Sequence, residues 1–69
     1  MIRAPVQSSN IASIGYDSTT LTLEVEFNTG AVYQYFDVPP QVHEAFVVAE
    51  SKGHYLASNI KGVYRYARS

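Results

Sequence analysis

The chain predicts an α+β fold: a three-stranded antiparallel β-meander with two helices packed on one face. Three observations carry this. Leu21 to Phe27 alternates without a break, apolar on odd positions and polar on even ones, the period of a half-buried strand. Turn chemistry flanks it, Asp17-Ser18-Thr19-Thr20 before and Asn28-Thr29-Gly30 after. Beyond Pro39-Pro40 the spacing becomes helical, with Val42, Ala45, Phe46 and Ala49 in an i, i+3, i+4, i+7 stripe.

Composition sets the limits. A chain of 69 residues has length for one domain, 1–69, and at 46% hydrophobic with 16% charged it is too apolar for disorder. There is no cysteine, so disulfides and thiolate metal sites are excluded, and self-association remains as a support for so small a core. No basic stretch precedes a long apolar run, so neither a signal peptide nor a membrane span is expected. The expected location is cytoplasmic, with no membrane partner.

In order, Met1 to Ser9 has no usable periodicity, and residues 1–8 read as a flexible N-terminal arm. Asn10 to Asp17 alternates as a strand, with Ala12, Ile14 and Tyr16 on one side and Ile11, Ser13 and Gly15 on the other. Pairing it with the next strand places Tyr16 opposite Leu21, Ile14 opposite Leu23 and Ala12 opposite Val25. Asn28-Thr29-Gly30 reads as a three-residue loop with Gly30 left-handed. In that register Val25 opposes Tyr33 and Leu23 opposes Tyr35, so both tyrosines share the dry face. A two-residue loop would turn them outward. Asp37-Val38-Pro39-Pro40 ends the third strand, because proline lacks the ladder donor yet suits a helix's first turn.

The first helix is expected from Gln41 to Glu50, stopped at Ser51-Lys52-Gly53 with Gly53 as a left-handed cap. His54 to Lys61 reads as a second helix, ended by Gly62, with Leu56 and Ile60 facing inward. Val63 to Ser69 alternates again, as an edge strand or an extended tail. The expected core is Ile14, Leu21, Leu23, Val25, Phe27, Val42, Phe46, Leu56 and Ile60.

The order of these motifs resembles the KTSC domain family. The residues that carry the likeness are Ser9-Asn10-Ile11, Ile14-Gly15-Tyr16-Asp17, Leu23-Glu24-Val25, Phe27, Gly30, Tyr33-Gln34-Tyr35, Val38-Pro39, Ala49, Ser51-Lys52-Gly53, Tyr55, Ile60 and Tyr64. The resemblance implies a small domain found alone in bacterial and phage proteins and at the C-terminus of some lysyl-tRNA synthetases, with RNA binding as the proposed activity. It makes Tyr33 and Tyr35 the hallmark Tyr-x-Tyr. The chain departs from the family at Tyr64-Arg65-Tyr66, where Tyr-Pro-Tyr is common.

Charge is distributed unevenly although the net value is -1. Residues 1–50 hold one base, Arg3, against all six acids, while residues 51–69 hold Lys52, Lys61, Arg65 and Arg68 with no acid. This asymmetry points to an anionic partner. The candidate nucleic-acid or anion site is therefore Lys52, Lys61, Tyr64, Arg65, Tyr66 and Arg68, which mixes cations with aromatic rings. A solvated basic tail is the plainer alternative. Tyr33 and Tyr35 are either a stacking platform for bases or core tyrosines, and the register favours the core. Ser51-Lys52-Gly53 is either an anion cradle or a helix stop followed by a helix start.

His43 and His54 lack further ligands at workable spacing, so no metal or cofactor is expected. No phosphate loop, nucleophile elbow or paired carboxylates are present, so no catalytic residues are assigned. The expected function is a non-catalytic binding module for single-stranded RNA, tRNA or another polyanion. The alternative is a protein-interaction or self-associating module, a homodimer for instance, using an exposed sheet edge or the apolar residues outside the core, Val32, Phe36, Val47 and Val48.

Overall fold

The computed structural model describes residues 1–69. Seven elements follow one another: β1 (Arg3–Pro5), β2 (Ile11–Asp17), β3 (Thr22–Phe27), β4 (Val32–Tyr35), α1 (Pro40–Val47), α2 (Lys52–Asn59) and β5 (Tyr66–Arg68). The strands form one antiparallel sheet in sequence order. The three-stranded meander is thus the centre of a five-stranded sheet, and both additions are short edge strands. β5 takes the edge-strand option left open for the C-terminal segment.

β1 corrects the reading of residues 1–8 as a flexible arm. Arg3, Ala4 and Pro5 pair with Gly15, Ile14 and Ser13. Only an edge strand tolerates Pro5, whose missing N–H breaks no ladder on the solvent side.

At the second hairpin the expected register holds. Leu23 faces Tyr35 and Val25 faces Tyr33, Phe27 N donates to Ala31 O at 2.8 Å, and Gly30 is left-handed with φ 93°. The first hairpin differs by two residues: Tyr16 faces Leu23 and Ile14 faces Val25. The cause is Leu21, which adopts φ 55° and belongs to the turn. Within that turn Thr19 N and Oγ1 donate to the Asp17 carboxylate at 2.9 and 2.6 Å. A two-residue slide keeps Ile14, Tyr16, Leu23 and Val25 on their expected face, but it removes Leu21 from the core.

The core is Ile11, Ile14, Leu23, Val25, Tyr35, Val38, Phe46, Leu56 and Ile60. Ile11 enters through a bulge between Ile11 and Ser13, which turns it to the face that strict alternation denies it. Val38 enters because its N–H donates to Leu21 O at 2.9 Å and its carbonyl accepts from Tyr16 Oη. Phe27 and Val42 pack against this cluster without being fully buried.

Helix α1 starts after Pro39 with Pro40 in its first turn and ends at Val47, short of the expected Glu50. Ser51 then caps α2, its Oγ accepting from His54 N at 3.3 Å. Gly53 is therefore not the left-handed cap of α1 but a first-turn residue of α2. A Cβ on it would meet Asn10 Oδ1 at 2.7 Å. Helices this short are marginal alone, so Phe46, Leu56 and Ile60, docked on the sheet, hold them.

Candidate nucleic-acid interface

The two faces of the sheet carry different chemistry. On the face away from the helices, Arg3, Gly15, Glu24 and Gln34 form one row across four strands. Arg3 crosses above Gly15 to pair with Glu24, and Gln34 Nε2 donates to the other Glu24 oxygen at 2.9 Å. The Gln34 amide is the chief cause holding the Glu24 carboxyl below its ordinary value, Arg3 adds to this, and burial opposes it. In the next row Ser13 Oγ accepts from Arg3 Nε at 3.1 Å and donates to Glu26 at 2.8 Å. Both acids of this face, Glu24 and Glu26, are tied into a network that leaves Glu24 only 8% exposed.

The opposite face carries Tyr33 and Tyr35 on β4 and, because their partners on β5 are Arg68 and Tyr66, these two side chains as well. Ring centroids lie 6.5 Å apart for Tyr33–Tyr35, 5.8 Å for Tyr33–Tyr66 and 6.1 Å for Tyr35–Tyr66. Phe27 meets Tyr33 edge-on at 5.7 Å, and the Arg68 guanidinium sits 5.8 Å from the Tyr33 centroid. Helices cover this face only in part. Beyond them the rings line an open cleft of about 640 Å³, with Lys61 and Arg68 at its walls.

Within the cleft the two hallmark tyrosines divide. Tyr35 is buried at 2% exposure, and that burial pushes its phenol up from the ordinary value, with Tyr33 and Tyr66 adding to the rise. Tyr33 is half-buried, and Tyr66 is 62% exposed. Tyr35 is thus the floor, while Tyr33 and Tyr66 present aromatic surface. The molecule's two ion pairs are Arg3–Glu24 and Arg65–Asp37, so neither Lys61 nor Arg68 is neutralised by a carboxylate.

The six candidate residues do not form one site. Lys61, Tyr66 and Arg68 share the cleft. Tyr64 packs on the core and, with Arg65, lines a neighbouring groove. Lys52 lies apart, its Nζ donating to Ala49 O at 3.2 Å. The segment Ser51-Lys52-Gly53 acts as a helix start, its free donor at His54 already satisfied by Ser51.

His43 stacks on Tyr16 at 4.5 Å, and burial lowers its pKa against the opposing effect of Glu44. His54 Nε2 lies 3.5 Å from Ser58 Oγ. Among the apolar residues outside the expected core, Val47 packs on the core, Phe36 lies under the Arg65 guanidinium, Val32 is half-buried and Val48 is exposed. Sequence reasoning missed Phe27 as a cleft wall. The signal was available, since Phe27 follows by two the residue opposite Tyr33, Val25.

The sequence profile of the KTSC domain matches residues 7–64. The chain belongs to the KTSC domain family. Among KTSC relatives, an uncharacterized protein of Stutzerimonas stutzeri is 45% identical over 69 residues, covering 99% of this chain and 97% of that one. A lysine–tRNA ligase of Trichormus variabilis is 47% identical over 60 residues, 87% of this chain but only 11% of the ligase. The crystal structure of a KTSC domain protein from Yersinia pestis matches with a TM-score of 0.96 at 41% identity, covering 99% of this chain and 96% of that one. The five-stranded KTSC architecture is therefore common to both proteins.

Proposed function

We propose that this KTSC domain is a non-catalytic module that binds single-stranded RNA in the cytoplasm through the cleft between β4, β5 and the Lys61–Gly62 turn. The observation that carries the reading is the juxtaposition of Tyr33 and Tyr66 with Lys61 and Arg68 in one open cleft. Aromatic faces accept any base by stacking, and unpaired cations beside them hold the phosphates. The opposite face offers no comparable pair of free cations, because its Arg3 is paired with Glu24. The occurrence of a similar segment within lysine–tRNA ligases supports RNA, tRNA included, as the ligand class.

The test is a titration of labelled single-stranded RNA at about 50 mM and about 200 mM salt, where counterion release sets the slope. Binding is expected at the lower salt and weakens at the higher. Arg68→Ala reduces the log–log salt slope by about 0.7, the share of one phosphate contact on a single strand. No binding at the lower salt refutes the reading.

A further inference from the structure

The cleft does not end at Tyr66. Gly62 and Tyr66 also line a second, more open groove of about 560 Å³, whose other walls are Phe36, Val63, Tyr64 and Arg65. There the Arg65 guanidinium lies 5.6 Å from the Phe36 ring centroid, and Phe36 N donates to Arg65 O at 2.9 Å. An aromatic face and a cation are thus fixed side by side, as Tyr33 and Arg68 are in the first groove.

Arg65 is engaged, its Nη2 donating to Asp37 Oδ2 at 2.9 Å. The two side chains are 77% and 71% exposed, however, and an ion pair so open to solvent is weak enough for a phosphate to displace. Asp37 is the carboxylate that competes at this end. Its backbone is left-handed, φ 59°, a conformation asparagine also tolerates.

We propose that the two grooves form one track. A single RNA strand enters between Lys61 and Arg68, stacks on Tyr33 and Tyr66, and continues past Tyr66 to a second station at Phe36 and Arg65. The ligand is then an oligonucleotide spanning both stations, not a mononucleotide held in the cleft. This rests on the reading that the cleft binds single-stranded RNA. The first groove offers two stacking rings, Tyr33 and Tyr66, so a dinucleotide fills it and leaves the second free.

The test compares a labelled dinucleotide with a labelled oligouridylate of ~6 nucleotides, a length within the usual site size of such modules, against the intact 69-residue chain. The longer strand is expected to bind at least about tenfold more tightly. Arg65→Gln and Phe36→Ala each weaken the longer strand roughly 5- to 10-fold and leave the dinucleotide unchanged. Asp37→Asn strengthens the longer strand alone. Near-UV circular dichroism confirms that Phe36→Ala is folded, and Arg65→Gln removes no buried group. Equal affinity for both lengths with a silent Arg65→Gln overturns the track while leaving the cleft as the RNA site. Absence of binding at either length overturns both.

Discussion

Gly15 leaves the gap through which Arg3 reaches Glu24. A Cβ there would approach Arg3 Cγ at 2.9 Å and the Ile2 carbonyl at 3.0 Å, so Gly15→Ala must move either the arginine stem or the strand backbone. We expect it to destabilise the domain by about 1–2 kcal/mol, read as a lowered midpoint in urea. Glu24→Gln removes the charge Arg3 pairs with and is expected to cost about 2 kcal/mol near neutral pH.

The acid response of Glu24 follows from the direction of its shift. Its carboxyl titrates below the ordinary value in the folded state, so the unfolded chain binds the proton first as pH falls. Its contribution to stability is therefore complete above the unfolded value of about 4.3 and is lost as pH drops through the folded value. The urea midpoint of the native chain should fall between about pH 5 and pH 3, and Glu24→Gln should flatten that limb. Part of the slope persists, because Thr19 bonds hold Asp17 low as well. An unaltered acid limb in the variant would show that the network contributes nothing. At the cleft, Tyr66→Ala removes the most exposed stacking ring and is expected to weaken RNA binding roughly tenfold with little change in the urea midpoint.

At the scale of elements, β1 matters most for its size. Three residues cover the edge of β2 and deliver Arg3 to Glu24. Removing residues 1–5 takes away the guanidinium that pairs with Glu24 and reopens the β2 edge. We expect a loss of about 2 kcal/mol and concentration-dependent association through the bared strand, both visible by denaturant titration and sedimentation. A deletion variant as stable and monomeric as the native chain would contradict this role.

The same strand shows where sequence reasoning stops. A three-residue strand containing proline has no period to read, and its partner is fixed by a row of side chains, Arg3 over Gly15 onto Glu24, that no local pattern encodes. By contrast β3 and β4 were legible because alternation and one left-handed glycine determine a hairpin register between them. Leu21 misled for a related reason: it keeps the alternating pattern of β3 but lies in the turn at positive φ, and the Asp17–Thr19 bonds that place it there fit either turn length. Ile11 required a bulge, which period counting cannot supply.

For the whole molecule, the two sides of one sheet separate charge that the sequence separates by position. Of the three acids of the first half that lie on the sheet, Asp17 ends β2 opposite Thr22, and Glu24 and Glu26 meet Arg3, Ser13 and Gln34 on one side. The cations Lys61 and Arg68 stand free on the other. A basic C-terminal end was therefore visible in the sequence, but the cleft was not, because Tyr33 meets Arg68 only when β5 returns to pair with β4. That pairing also resolves the choice between platform and core. Tyr35 is core and Tyr33 is cleft wall, although both point the same way. Lys52 carries the right charge in the wrong place, since α2 holds it beside Ala49.

The central claim is that this cleft, and not the acidic face, receives the ligand. Amide chemical-shift mapping of the full chain with single-stranded RNA at about 50 mM salt tests it most directly. The account predicts perturbations concentrated at Tyr33, Lys61, Tyr66 and Arg68, with Gly15, Glu24 and Glu26 unmoved. Shifts confined to the row of Arg3, Gly15, Glu24 and Gln34, or none at all, would contradict it.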